Sequence, residues 1–122
     1  MNAINLSRVY DHEQPVGQAF LVERLWPRGI RKNELHMEAW LRDVAPSAEL
    51  RTWFSHDPER WSDFRRRYVA ELDANRTAWA PLIEAAARGP VTLLFSSRDE
   101  EHNNAVVLRD YLLSRLEHPD DR

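Results

Sequence analysis

Two apolar runs, AFLV at residues 19–22 and VTLLF at residues 91–95, break the otherwise mixed pattern of the chain. Neither alternates, which suits strands buried on both faces. Strands are expected over Ala19–Leu25 and Val91–Ser96, each turning polar at its C-terminal end, and a third over Ile4–Tyr10. Between these two runs the period becomes helical. Asn33 caps a short helix carrying Leu35, Trp40 and Leu41, and Ser47 caps another that buries Leu50, Trp53 and Phe54. Asp57 followed by Pro58 is a strong start signal for a helix burying Trp61, Phe64, Tyr68 and Leu72. A fourth helix carries Trp79, Leu82, Ile83 and Ala86 and stops at Gly89-Pro90. After the loop SSRDEEH, Asn103 caps a last helix with Val107, Leu108, Tyr111 and Leu112 inward.

This order predicts an α/β fold, a small layered structure with a short central sheet of about three strands, at least partly parallel, covered by about five helices. The chain of 122 residues makes one domain, with HPDDR at residues 118–122 as a frayed tail. The orientation of the first strand stays open. Only DHEQPVGQ joins it to the second, shorter than the usual parallel crossover, so adjacent strands would be antiparallel.

Composition narrows the chemistry. With no cysteine, there is no disulfide, thiolate nucleophile or cysteine-held metal. No apolar run is long enough to span a bilayer and no signal peptide precedes the first strand, so a cytoplasmic protein without a membrane partner is expected. The net charge of −3 argues against general nucleic-acid affinity. Lys32 is the only lysine, so the positive charge is nearly all arginine, whose planar fork matches carboxylate and phosphate.

In open α/β sheets ligands bind beyond the carboxyl ends of parallel strands. That rule selects Glu23, Arg24, Arg28 and Arg31 after the second strand, and Ser96, Ser97 and Arg98 after the last. Trp26-Pro27-Arg28-Gly29 fits a type I turn with proline second and glycine fourth, which would hold Arg28 at the strand mouth. The start of the last helix, at Asn103 and Asn104, offers N–H groups and a partial positive charge to an anion. Arg24, Trp26, Arg28, Ser96, Ser97, Arg98, Asn103 and Asn104 are the ligand-binding candidates.

Glu23 and His102 are candidate acid–base groups, since histidine titrates near neutrality. Asp11 joins them only if the first strand runs parallel to the others. Each has an ordinary counterpart: His102 as a surface histidine, Asp11 as a turn residue, and the arginines as ion pairs with Asp99, Glu100 and Glu101. Such surface pairs are worth ~0–1 kcal/mol each. His56, Asp57 and His102 lack the spacing of a metal motif, and Asp57 is better explained as a cap, so no metal or cofactor is assigned. Arg65, Arg66 and Arg67 lie on the outer side of a helix, as a solvated face does.

RVYD, LVERLWPRGIRK, the W-LRDVAPS-ELR-WF-HDP-RW block and TLLFSSRDEEHNNAVVL together resemble the domain of unknown function 488 family, in its short, YeaO-like branch. The resemblance covers about residues 7–116. It implies a small cytosolic α/β domain of bacterial or archaeal type without an established activity. The longer members carry a Cys-His pair at the loop and helix start where this chain has Asn103 and Asn104. That departure puts any cysteine or metal chemistry of the longer branch in doubt here. Asp11, Glu23, Arg24, Trp26, Pro27, Arg28, Gly29, Ser47 and Asn104 fall on family-pattern positions.

Three functions stay open. The first is binding, with or without turnover, of a small phosphate- or carboxylate-bearing ligand. The second is a protein-interaction module in which exposed tryptophan and arginine serve as anchors. The third is a nucleic-acid-associated regulator, with Trp26, Arg28, Arg31 and Lys32 on the backbone and bases. No P-loop, dinucleotide fingerprint or nucleophile elbow decides among them. Whether the protein is an enzyme or forms a homodimer is not fixed by these residues.

Overall fold

A computed structural model describes residues 4–11 and 14–117. Strands β1 (Ile4–Arg8), β2 (Gln18–Leu21), β3 (Ala39–Trp40) and β4 (Val91–Phe95) form one sheet in the order β1-β4-β2-β3. Every pairing is parallel. The helices are α1 (Ala48–Phe54), α2 (Trp61–Asp73), α3 (Arg76–Arg88) and α4 (Asn104–Glu117), with short 3-10 turns between elements. No helix among the described residues is long and apolar enough to cross a membrane. The tail expected at residues 118–122 lies outside the described residues.

The α/β expectation holds, with four strands and four α-helices in place of three and five. The antiparallel alternative for the first strand does not hold, because β1 and β2 are not neighbours. The last strand, β4, lies between them, pairing Ile4 with Val91 on one side and Gln18 with Val91 on the other. A short connection suffices because β1 ends at Arg8 and a 3-10 turn, Val9–Asp11, starts the chain back. Gly17, with φ of +68°, makes the sharp entry into β2; a Cβ there would lie 2.1 Å from the Pro90 carbonyl oxygen.

The helix expected from Asn33 is absent. Lys32–Glu34 is a single 3-10 turn, held by the Glu34 carboxylate accepting the Arg31 amide at 3.0 Å. The chain then extends along the open edge of β2, where the Glu38 amide donates to the Ala19 carbonyl (2.7 Å) and the Leu41 amide to that of Leu21 (2.8 Å). Satisfying that edge places Trp40 on a strand, where its indole N–H donates to the Glu23 carbonyl at 2.6 Å. The other helix signals hold. Ser47 Oγ accepts from the Leu50 amide at 3.1 Å, and the Asp57 carboxylate accepts from that of Glu59 at 3.0 Å. Asp57 caps a 3-10 turn, Pro58–Arg60, that leads into α2.

All five residues of β4 are buried, as its unbroken apolar run requires. Val91, Leu93 and Phe95 join Phe20 and every buried side chain of the four α-helices in the main core. Leu94, with Ala19 and Leu21, faces a second, smaller cluster closed by Trp26, Ile30, Leu35, Met37 and Trp40. One sheet face is thus covered by helices and the other by the irregular segment after β2.

Candidate functional site

A cleft of about 700 Å³ opens at the carboxyl ends of β1, β2 and β4. Tyr10 contributes from beyond β1, residues 23–28 from beyond β2, and residues 96–99 from beyond β4. Asn103 and Asn104 join them from the start of α4. Ala45, Pro46, Arg51, Phe54, His56 and Phe64 complete the lining. Strand order explains the convergence, because three parallel strands end side by side and release their following loops in one direction.

All eight ligand-binding candidates and Glu23 line this cleft. Most are already engaged by the protein. Arg24 donates from Nε to the Pro46 carbonyl (3.1 Å) and from Nη2 to that of Ala45 (3.3 Å), tying the loop after β2 to the approach to α1. Asn103 is buried; its side-chain oxygen accepts the Val106 amide at 3.2 Å, and its amide group donates to the Asp99 carbonyl at 2.8 Å. Asn104 donates to the Val22 carbonyl at 2.7 Å, fixing α4 to the end of β2. Ser97 Oγ accepts from the Asp99 amide at 3.1 Å. Trp26 donates to the Ile30 carbonyl at 2.6 Å and meets Trp40 edge to face, with centroids 5.3 Å apart.

Trp26 closes over a turn that lies one residue later than expected. Ile30 donates to the Pro27 carbonyl, and Gly29, with φ of +81°, occupies the third position. Positive φ there is the type II geometry, in which glycine relieves strain at the third position instead of ending a type I turn. The Arg28 carbonyl accepts from the Tyr10 hydroxyl at 2.7 Å, so the turn is pinned while the Arg28 side chain stays exposed.

Two acid–base candidates lie elsewhere. β1 runs parallel, as Asp11 required, yet Asp11 is exposed, pairs with Arg8 at 3.9 Å and is not among the cleft residues. His102 turns its Nδ1 to Asp99 at 3.0 Å, sets its ring edge to face on Trp61, and does not line the cleft. Burial pulls the Asp99 carboxyl up, but the amides of Glu101 and His102 and the His102 ring outweigh it and hold the group below its usual range. Among the described residues no three His, Asp or Glu side chains form a group that could hold a metal ion.

Glu23 is the acid that remains. Its Oε1 accepts from the Ser96 amide (2.7 Å) and the Ser96 hydroxyl (2.9 Å). Burial pushes its carboxyl above the usual value, against the pull of Ser96, Arg51 and His56. Deeper in, the Tyr68 hydroxyl is fully buried, donates to the Val44 carbonyl at 2.6 Å, and is raised well above its usual range by burial.

Sequence reasoning missed Arg51, His56 and Tyr10 in this cleft. Arg51 lies on the exposed side of α1, and His56 follows the left-handed residue Ser55 (φ 44°) with a positive φ of its own, 57°. The helical period marked α1's buried side only. Arg28, Arg51 and Arg98 line the cleft with no acidic partner within 4.0 Å and no side-chain hydrogen bond among the described residues.

Comparison with known proteins identifies the family. The family model described as the inactive DUF488-N3 subclade matches residues 3–122. The uncharacterized protein YeaO of Escherichia coli is 41% identical over 112 residues, which is 91% of this chain and 97% of that protein. The uncharacterized protein Rv3073c of Mycobacterium tuberculosis is 41% identical over 113 residues, 92% of this chain and 95% of its own. No solved structure matches. The match across nearly its whole length shows that the chain belongs to the domain of unknown function 488 family, in the subclade described as inactive.

Proposed function

We propose that the protein binds a small phosphate- or carboxylate-bearing anion in this cleft and does not turn it over. The observation that carries the reading is the set of three arginines, Arg28, Arg51 and Arg98, that share one cleft with no carboxylate within 4.0 Å among the described residues. Elsewhere arginines such as Arg60, Arg66 and Arg115 meet carboxylates within 4.0 Å. Glu23 and Asp99 line the same cleft, and Arg51 acts on Glu23, but the arginines there outnumber the carboxylates, and an oxyanion would complement the excess positive charge. The volume lies within the range of small-molecule sites, ~300–1,000 Å³. The description of the subclade as inactive favours binding over turnover, as does Asn103-Asn104 at the place of the longer members' Cys-His pair.

Thermal unfolding with phosphate, sulfate, carboxylates, sugar phosphates and short oligonucleotides, in wild type and Arg28→Ala, tests the reading. A ligand at about 100 times its Kd adds ~2.7 kcal/mol of stability. The expected outcome is a rise with one anion class that Arg28→Ala loses. Sulfate and phosphate also stabilise proteins by exclusion from their surfaces, an effect the variant would retain. Equal rises in both proteins, or none, would overturn the reading and turn attention to an interaction surface around Leu25, 60% exposed beside the cleft.

A further inference from the structure

Anion binding alone leaves Glu23 unexplained, because a carboxylate in an anion site repels the ligand. Two carboxylates line the cleft, and they differ in what they have left to offer. Asp99 is spent: Oδ1 accepts the amides of Glu101 and His102, each at 3.0 Å, and Oδ2 meets the His102 ring at 3.0 Å. Glu23 is half used. Its Oε1 accepts from the Ser96 amide (2.7 Å) and hydroxyl (2.9 Å), which fill its two acceptor positions. Oε2 accepts no hydrogen bond among the described residues. Nor is it sealed from solvent, since the buried side-chain atom left without a partner there is Gln18 Oε1 alone. Glu23 therefore offers the cleft one accessible acceptor for which the protein supplies no donor.

The positive charge of the cleft reaches this carboxylate. Arg51 and His56 both pull the Glu23 carboxyl down against its burial, yet neither lies within 4.0 Å of it. Cation and carboxylate thus share one part of the cleft without touching. An oxyanion drawn to Arg51 comes close to Glu23, and a ligand oxygen without a proton is repelled there. An oxyanion with a proton of its own escapes that penalty, because its O–H donates to Oε2 in a charge-assisted bond.

Building on the anion reading, we propose that the cleft selects an oxyanion that carries its own proton, hydrogen phosphate, over dianions that carry none, such as sulfate. The arginines attract the anion, Ser96 fixes the carboxylate through Oε1, and Oε2 accepts from the phosphate hydroxyl. Discrimination between anions of equal charge needs an element that penalises the wrong one. Glu23 is that element, since sulfate and carboxylates present only acceptors to it.

Calorimetric titration at about pH 8, well above the ordinary carboxylate range, tests the assignment with phosphate, arsenate, sulfate, selenate and succinate. All five are dianions there; phosphate and arsenate keep one proton and the others none. Wild type and Glu23→Gln would be compared at one low ionic strength. Phosphate and arsenate should bind wild type at least about ten-fold more tightly than sulfate and selenate. Glu23→Gln keeps an acceptor for Ser96 and turns an N–H donor towards the anion, so sulfate should gain affinity and the preference disappear. Equal binding of all the anions by wild type, or binding of succinate alone, would overturn the selection and leave anion binding standing. A preference that survives in Glu23→Gln would overturn the role of Glu23. Saturable binding of none of the five would overturn both readings. If the variant does not fold, the wild-type comparison alone still decides whether a proton on the anion matters.

Discussion

At Glu23 burial and hydrogen bonding pull in opposite directions, and burial wins. A carboxyl raised above its unfolded value, 4.5, binds its proton more tightly in the folded chain. Its contribution to stability is then fully present below about pH 4.5 and is lost as pH rises through the raised, folded value. Glu23→Gln cannot titrate. The difference in unfolding free energy, wild type minus variant, should therefore fall in urea titrations as pH rises from about 4.5 through the raised, folded value. A flat difference would mean that Ser96, Arg51 and His56 balance the burial. Glu23, Arg28 and Arg98 were legible as cleft residues because they follow strand ends, and chain order shows strand ends. Arg51 and His56 were not, because their approach depends on how α1 packs and on two left-handed residues that read as ordinary polar ones. Asn103 and Asn104 line the cleft, but nothing local shows that their amides are spent on Asp99 and Val22.

Among the elements, α1 depends most on a single residue. Ser47 caps it through Oγ, and the same residue gives its hydroxyl to Glu71 Oε2 (2.6 Å) and its amide to Glu71 Oε1 (2.8 Å) on α2. Losing a cap alone costs about 1 kcal/mol. Ser47→Ala also strips a charge-assisted bond, so the expected loss in urea unfolding is about 2 kcal/mol. A loss below about 0.5 kcal/mol would show that the link to Glu71 contributes nothing beyond exposed pairing. Since α1 carries Arg51, anion affinity should fall with it. The Ser47 and Asp57 caps were legible because capping is local. β3 was not: it is two residues long, and bonds to Ala19 and Leu21, some twenty positions earlier, decide it. The Leu35, Trp40 and Leu41 spacing suited a helix until the open edge of β2 claimed the segment.

For the whole molecule, the α/β class followed from two unbroken apolar runs separated by helical periods. The strand order did not, because β4 is made last and inserts between β1 and β2. That insertion brings the loops after three strands to one mouth and gives a chain of net charge −3 a locally cationic cleft. The most direct test of the central claim is to follow the amide resonances of the ¹⁵N-labelled protein during titration with inorganic phosphate at low ionic strength. Anion binding at this cleft predicts saturable shifts concentrated in residues 24–29, 51–56 and 96–104, which Arg28→Ala weakens. Shifts scattered over the surface, or growing linearly without saturation, would contradict it.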